Sequence, residues 1–328
     1  MNNLERITSY VEESFLRPLL LRPSVTDVSF NGEAIFYQDS FQGRKRSNIE
    51  AKNEDIGAFL RQIANMSEQQ FSYTSPILDV SFSRYRLNAA FLSIGRVYEQ
   101  KVYTFNIRVC HDGSAVSDDE SFFPGKTKKI LLDALAKRES IAIGGITGAG
   151  KTELQKYLLM NLPVATRVIV IDNIGELERC RADGMTDMTF WMEDDRFEDG
   201  KADSLIRNAL RNNPDYIVLA ESRGAEFLSA LNCVMSGHPI ITTIHAKDIQ
   251  GMPYRMARLA MAGDTKSTCE DLLGDIYHHF DLLVLVGKQT VDGRVVRRIS
   301  SIGRIREADR SITMLYEEKK RGRKPNEE

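Results

Sequence analysis

The stretch with the clearest capacity for chemistry is a glycine-rich loop that ends in lysine and threonine. It reads Gly145-Ile146-Thr147-Gly148-Ala149-Gly150-Lys151-Thr152, with the spacing G-x-x-x-x-G-K-[ST]. In such a loop, backbone N–H groups surround phosphate oxygens and the following helix adds the positive end of its dipole. The lysine reaches the β- and γ-phosphates, and the threonine hydroxyl ligates Mg²⁺. The loop is therefore predicted to bind the phosphates of ATP or GTP.

The flanking residues have the order that a phosphate-binding loop requires. An apolar run at residues 141–143 comes before it, and apolar residues at helical spacing, Leu154, Tyr157 and Leu158, come after it. This strand–loop–helix order separates a phosphate site from a chance match of a short pattern, which is the alternative interpretation.

Acidic residues end two further apolar runs. Residues 216–220 lead directly to Glu221, which is placed to orient Mg²⁺-bound water or the attacking water. Residues 167–172 end in Asp172, and Glu176 follows; either acid is a candidate for the base that orients water. A carboxylate that only caps a helix is the alternative for Glu221.

A histidine ends a third apolar run. Residues 240–244 read as a strand, and His245 follows it directly. A lone histidine is commonly a satisfied core residue, but at a strand end beside a phosphate loop we also expect a γ-phosphate contact.

Strands alternate with helical patterns across the C-terminal two thirds of the chain, which is typical of a mostly parallel sheet covered by helices. Ligands of such sheets bind at the carboxyl ends of the strands. The phosphate loop, residues 172–176, residues 221–223 and His245 are therefore expected to converge at one edge. Asp203 is expected to cap the helix predicted at residues 204–210.

The N-terminal part mixes short strands with helices. In two of its strands, apolar side chains alternate with polar ones, which places Arg86 and Arg108 off the apolar face. These arginines are either ordinary solvated side chains or cations that project towards another domain.

Length and charge limit the class of protein. The chain has 328 residues, enough for two domains, and its formal net charge is −2. Because there is no global basic field, direct nucleic-acid binding is not expected. The 4 cysteines are scattered, which indicates reduced thiols in a cytosolic protein. The charged N-terminus does not resemble a signal peptide, and no apolar run is long enough to span a membrane, so membrane association is expected to be peripheral.

Four motifs in order resemble those of the secretion-superfamily traffic ATPases, which power type II and type IV secretion, conjugative transfer and type IV or tight-adherence pili. The phosphate loop resembles their G-G-T-G-S-G-K-T sequence. Residues 171–177 resemble the Asp box, residues 210–226 the Walker B region, and residues 236–246 the His box. Residues 20–305 carry the resemblance as a whole.

The resemblance implies an α/β fold: a RecA-like P-loop domain with a mostly parallel sheet, preceded by a smaller α+β N-terminal domain. We expect residues 1–110 to form the N-terminal domain, 111–123 a linker, 124–316 the ATPase domain and 317–328 a disordered basic tail. The resemblance also implies that the protein forms a homo-hexameric ring. The ring would lie in the cytoplasm, peripheral at the inner face of the cell membrane, and would work with inner-membrane platform or secretion-channel proteins.

The resemblance also assigns roles to residues, with ATP and Mg²⁺ as cofactors. Catalysis would involve Glu176, Glu221 and His245, together with Arg86 and Arg108 from the N-terminal domain. Thr152 would ligate Mg²⁺ directly, and Glu221 would do so through water.

This sequence departs from the family pattern at several positions. Ile146 and Ala149 replace Gly and Ser in the loop, Asn173 replaces the second acid of the Asp box, and Ala220 replaces the glycine before Glu221. Asn173 and Ala220 leave open a nucleotide-binding scaffold with little hydrolysis. A RecA-like nucleic-acid motor is a separate open hypothesis.

Overall fold

The computed structural model of the chain describes residues 3–180, 186–194, 196–263, 265–291 and 293–318. It contains two compact units. One consists of Met1–His111 with Thr290–Val296, and the other consists of Asp112–Gln289 with Arg297–Glu328. Residues 319–328 of the predicted basic tail, and Asp292, lie outside the described residues.

The first unit is an antiparallel sheet with helices. Its helices are α1 Asn3–Glu12, α2 Arg17–Leu20 and α3 Asn53–Met66. Its strands are β1 Val25–Phe30, β2 Ile35–Asp39, β3 Gly43–Arg46, β4 Ile77–Phe82, β5 Tyr85–Ala90, β6 Arg96–Val97, β7 Gln100–Lys101 and β8 Thr104–Val109. The 6-stranded sheet has the order β3-β2-β1-β8-β5-β4, and β6 and β7 form a separate pair.

Period-two alternation explains how this sheet is covered. On β5, Tyr85, Leu87 and Ala89 are buried, and they join Ile7 of α1 and Phe59 of α3 in one core. Because successive side chains of a strand point to opposite faces, the arginines between them lie on the other face. The predicted placement of Arg86 and Arg108 off the apolar face is thus confirmed.

The second unit contains the remaining elements. Its helices are α4 Thr127–Ala136, α5 Lys151–Met160, α6 Ala202–Ala209, α7 Glu226–Met235, α8 Met252–Ala260 and α9 Cys269–His279. Its strands are β9 Ile141–Gly145, β10 Arg167–Asp172, β11 Asp187–Met192, β12 Tyr216–Leu219, β13 Ile240–His245, β14 Leu282–Val291, β15 Arg294–Arg306 and β16 Ser311–Glu317. The sheet is 8-stranded, in the order β11-β10-β12-β13-β9-β14-β15-β16.

The central strands pair in parallel, as predicted. Neighbouring pairs from β11 to β14 all run parallel, whereas β15 and β16 are antiparallel to each other. Alternate residues of each central strand enter two different cores: Ile141 and Ile143 pack with α4 and α5, and Ala142 packs with α7 to α9. A strand buried on both faces needs a continuous apolar run, which explains why these segments read as unbroken apolar stretches.

The hairpin of β14 and β15 contributes to both units, because its tip at Thr290–Val296 belongs to the first unit. There, the Val295 N–H donates to the carbonyl oxygen of Phe41 at 2.8 Å. The sequence predicts the two strands of this hairpin, but it does not indicate that the tip belongs to the first unit and the rest of the hairpin to the second.

The prediction that Asp203 caps α6 is wrong. The helix begins at Ala202, so the N-cap residue is Lys201, and Asp203 lies in the first turn. Its carboxylate accepts a hydrogen bond from Ser229 Oγ and pairs with Arg207 Nη1 at 2.5 Å. The helix dipole stabilises an acid in the first turn even when that acid is not the N-cap residue. An aspartate near the start of a helical pattern therefore does not show by itself which residue is the N-cap.

The segment predicted to be a linker, residues 111–123, buries three of its side chains. Val116, Phe122 and Phe123 are buried in a core of the second unit. No helix in the described parts of the chain combines the length and apolar character needed to cross a membrane.

Candidate active site

The phosphate loop connects β9 to α5, as the sequence predicts. Gly148 and Gly150 have φ angles of +69° and +103°, a region that side-chain-bearing residues rarely adopt. A Cβ atom on Gly145 would lie 2.8 Å from the Val286 carbonyl oxygen. The backbone geometry therefore requires glycine at these three positions.

The two substituted positions of the loop fit differently. Ala149 is 1% exposed, whereas Ile146 is 47% exposed. A small side chain is accommodated at the buried position, and the larger one projects from the loop. Neither substitution obstructs the turn.

Lys151 occupies the first position of α5 and is buried. Its ammonium donates to the carbonyl oxygens of Gly145 at 3.2 Å and Ile146 at 3.4 Å. Burial lowers the pKa of Lys151; the Glu221 carboxylate opposes this shift, and Arg223 adds to it. Its Nζ therefore lies inside the loop, where an incoming phosphate would replace the two carbonyl contacts.

Glu221 lies just beyond β12 and contacts an arginine and a histidine. Arg223 Nη2 donates to Oε2 at 2.6 Å, and His245 Nε2 lies 2.8 Å from Oε1. Burial alone would raise the pKa of Glu221, but the hydrogen bond from Arg223 and the charges of Arg223, His245 and Lys151 outweigh it and lower the pKa. Glu221 is therefore an ionised carboxylate at neutral pH.

One oxygen of Glu221 is buried without a well-aligned hydrogen bond from the part of the chain that the structure describes. Although His245 Nε2 is close to Oε1, no group in the described residues makes a well-aligned hydrogen bond to this buried atom. A buried acceptor of this kind normally has a partner. An oxygen beside Lys151 and near the start of α5, where Thr152 lies, suits a water molecule or a hydrated Mg²⁺ ion, so the residues present fit the cofactor that the sequence predicts.

His245 ends β13 directly beside the phosphate loop. It is paired in register with Gly145 on the neighbouring strand β9. With Ile146, Thr147 and Arg255 it lines a cavity of about 420 Å³. The structure therefore brings together Lys151, Glu221 and His245, three side chains that the sequence predicts to converge.

The two acids of the Asp box, Asp172 and Glu176, have different surroundings. Asp172 is 5% exposed, and its carboxylate accepts the backbone N–H groups of Ile174 and Leu177, both at 2.9 Å. These contacts shape the loop and favour Glu176 over Asp172 as the base that orients water.

Glu176 is less directly placed than the sequence suggests. Its charge influences Lys156 and Cys180. Lys156 comes five residues after Lys151 on α5. At about 100° per residue it is roughly 140° around the helix from Lys151, so it lies on a different face of α5 from the lysine of the phosphate loop. The role of Glu176 at the phosphates therefore stays a prediction.

Arg86 and Arg108 are directly opposite each other on β5 and β8. Arg86 pairs with Asp79 at 3.2 Å, and Arg108 pairs with Asp27 at 3.5 Å. The two carboxylates lie on the flanking strands β1 and β4, and their negative charges offset the repulsion between the two adjacent arginines. Participation of these arginines in catalysis stays a prediction.

Four polar residues at this site have no role that the sequence alone indicates. Arg223 lies in the polar stretch at residues 221–223, but its role is evident only from its contact with Glu221. Gln155 Nε2 donates to the carbonyl oxygens of Leu219 at 2.7 Å and Ile241 at 3.3 Å, which ties α5 to two strands. The other two are Lys288 and Arg297, on the hairpin of β14 and β15. These last two belong to no motif, so only their charge could have drawn attention to them.

An ion pair within α5 holds Glu153, which in turn connects this helix to the segment before α4. Lys156 Nζ binds Glu153 Oε1 at 3.1 Å, and the Lys156 side chain is only 2% exposed. Glu153 Oε2 also accepts the Ala115 N–H at 2.6 Å, and the Glu153 carbonyl accepts Ser114 Oγ at 2.8 Å. Glu153 follows Thr152 directly, so this segment is attached next to the phosphate site.

Replacing Glu153 with alanine is expected to lower the free energy of unfolding by about 3 kcal/mol, because a buried ammonium loses a carboxylate. Urea denaturation of the full chain measures the change. Glu198→Ala is the matched control, because its pair with Lys201 is exposed and should contribute about 0.5 kcal/mol or less. Equal stability of the two variants would contradict the importance of the buried pair.

The chain is similar to several known proteins. The model of the type II/IV secretion system protein family matches residues 104–294. An uncharacterised protein of Bacillus anthracis is 26% identical over 289 residues, which make up 85% of this chain and 63% of that protein. The type IV secretion system protein VirB11 of Brucella suis biovar 1 is 28% identical over 200 residues, or 60% of this chain and 55% of that protein. This chain thus spans less than two thirds of either relative.

A solved structure supports the fold. The Legionella pneumophila ATPase DotB matches with a TM-score of 0.67 at 20% identity, over 94% of this chain and 81% of that chain. The predicted architecture, a RecA-like P-loop domain preceded by a smaller α+β domain, is confirmed. Since the family model matches more than half of the residues, the chain belongs to the type II/IV secretion system protein family.

Proposed function

We propose that this chain is a Mg²⁺-dependent ATPase that powers a type IV secretion, conjugative transfer or pilus-assembly machine. The observation that carries the proposal is the cluster of Lys151, Glu221 and His245 at the carboxyl edge of the parallel sheet. A phosphate loop beside an ionised carboxylate and a histidine can hold a triphosphate and polarise a water molecule.

Each residue has a distinct part in this proposal. Lys151 and the N–H groups of the loop hold the β- and γ-phosphates, and His245 contacts the γ-phosphate. Glu221, held by Arg223, orients water at the phosphorus. Mg²⁺ would neutralise charge on the phosphates, with Thr152 as direct ligand and Glu221 as ligand through water.

The position of β10 supports Glu176 as the base that orients the attacking water. This strand is the neighbour of β12 in the sheet, so the loops that follow the two strands emerge side by side, about 5 Å apart. We propose Arg86 and Arg108 as further cations that stabilise the negative charge that develops in the transition state.

The family supports the wider assignment. We propose that the protein works as a homo-hexameric ring with inner-membrane platform or secretion-channel proteins, in the cytoplasm at the inner face of the membrane. Rotation of one domain against the other would then carry the output of hydrolysis.

The first experiment measures phosphate release by the full chain with ATP and Mg²⁺, with ATP and EDTA, and with ATP, Mg²⁺ and DNA. We expect hydrolysis with Mg²⁺, loss of it in EDTA, and no stimulation by DNA. Tight ATP binding without hydrolysis would replace the proposal with a nucleotide-binding scaffold. Strong, salt-sensitive stimulation by DNA would favour a nucleic-acid motor.

Mass photometry with and without ATP tests the ring separately. We expect particles of six chains in the presence of nucleotide. A protein that hydrolyses ATP but stays a monomer at every concentration would contradict the hexamer and leave the ATPase assignment intact.

A further inference from the structure

The order of the strands gives the candidate site a direction. Glu221 follows β12 and His245 ends β13, both on one side of the loop strand β9, whereas β14 and β15 lie on its other side. If Glu221 and His245 mark the γ-phosphate, the triphosphate must run from their side towards the hairpin. The α-phosphate and the nucleoside are then closer to β14 and β15.

Two cationic side chains of the hairpin reach the loop on this side. Arg297 Nε donates to the Gly148 carbonyl oxygen at 2.8 Å. Lys288 Nζ lies 3.3 Å from the point where a Cβ atom on Gly148 would be. The Cδ atom of Arg297 is 3.7 Å from the corresponding point on Gly150. Both cations therefore border the same turn of the loop.

Neighbouring side chains of β15 point to opposite faces, and only one of these faces borders the phosphate loop. Arg297 contacts the loop, whereas its neighbour Arg298 pairs with Glu318. Lys288 forms no ion pair with a carboxylate in the described part of the chain. Burial also lowers the pKa of Arg297. Two cations held close together beside a loop favour a bound anion, which offsets their mutual repulsion.

We propose that Lys288 and Arg297 bind the α-phosphate of the nucleotide. This inference rests on the proposed function, because it requires that the loop bind a nucleotide. A non-bridging oxygen of the α-phosphate accepts hydrogen bonds from the Lys288 ammonium and from the terminal nitrogens of Arg297. Nε of Arg297 meanwhile keeps the Gly148 carbonyl in place, so Arg297 both braces the loop and binds the substrate.

The test compares the affinity of the full chain for ATP and for ADP by isothermal titration calorimetry. Lys288→Met is expected to weaken binding of both nucleotides by the same factor, about tenfold, because both contain the α-phosphate. His245→Ala, at the opposite end, is expected to weaken ATP more than ADP. Lys129→Met, an exposed lysine of α4, is the matched control and should bind as the wild type does.

Arg297 is tested by charge rescue. Arg297→Gln should weaken ATP and ADP equally, and Arg297→Lys should recover a large part of the loss, whereas Arg298→Gln should have no effect. Wild-type affinity in Lys288→Met, or a loss confined to ATP, would overturn the proposal. If the wild-type protein itself bound neither nucleotide, the proposed function would fail instead, so the two failures are distinct.

Discussion

Replacing Lys151 with methionine is expected to lower the rate of ATP hydrolysis by at least about 100-fold, as loss of one electrostatic contact to the reacting group does in other enzymes. Methionine keeps an unbranched side chain of similar length in a site where Lys151 is buried. The fold should persist, because the two carbonyl contacts of Lys151 are replaceable by water. The measurement is steady-state phosphate release at saturating ATP and Mg²⁺.

The Lys129→Met variant controls for the loss of a lysine elsewhere in the same unit. It should hydrolyse ATP at the wild-type rate. Circular dichroism and the melting temperature establish that Lys151→Met is folded. Wild-type turnover in a folded Lys151→Met protein would show that the loop is not the phosphate site and would remove the basis of the ATPase assignment.

Replacing Glu221 with glutamine is expected to lower kcat by about 100- to 1,000-fold while ATP still binds. Glutamine has nearly the same shape but no negative charge, so it polarises water weakly. Its side chain can still accept a hydrogen bond from Arg223, and the fold should be kept. Single-turnover kinetics separate chemistry from binding, and a calorimetric titration gives the affinity.

Glu198→Gln is the matched control, because Glu198 is an exposed acid of the same unit. It should leave kcat unchanged. If Glu221→Gln hydrolysed ATP normally, Glu221 would only be a structural partner of Arg223 and His245. If Glu221→Gln failed to bind ATP, the Glu221 carboxylate would be needed for ground-state binding of ATP rather than for the chemical step.

The lowered pKa of Glu221 also predicts a pH dependence of stability. A carboxylate with a lower pKa in the folded protein stabilises it above the unfolded-state pKa of about 4.3. This contribution is lost as the pH falls through the lower folded-state value. The stability difference between wild type and Glu221→Gln should therefore be constant near neutral pH and shrink below about pH 4.

Residues close together along the chain determine much of this site. The strand, the loop and the first turn of α5 are contiguous, and Gly148 and Gly150 adopt positive φ angles that favour glycine. Glu221 and His245 are also predictable, because each follows an apolar run long enough for a buried strand. In a parallel sheet, such positions meet at one edge whatever lies between them.

Tertiary structure decided the contacts whose partners are far apart in sequence. Arg297 reaches Gly148 across 149 positions, and Gln155 reaches Leu219 across 64. Lys156 resembles an ordinary surface lysine on a helix, yet packing buries it beside Glu153. From the sequence, Asp172 and Glu176 are equivalent candidates for the base that orients water. In the folded loop, backbone N–H groups bind the Asp172 carboxylate, and this distinguishes the two acids. Local sequence fixes backbone conformation and the burial of strands, whereas the partner of a polar side chain depends on which elements the folded chain packs around it.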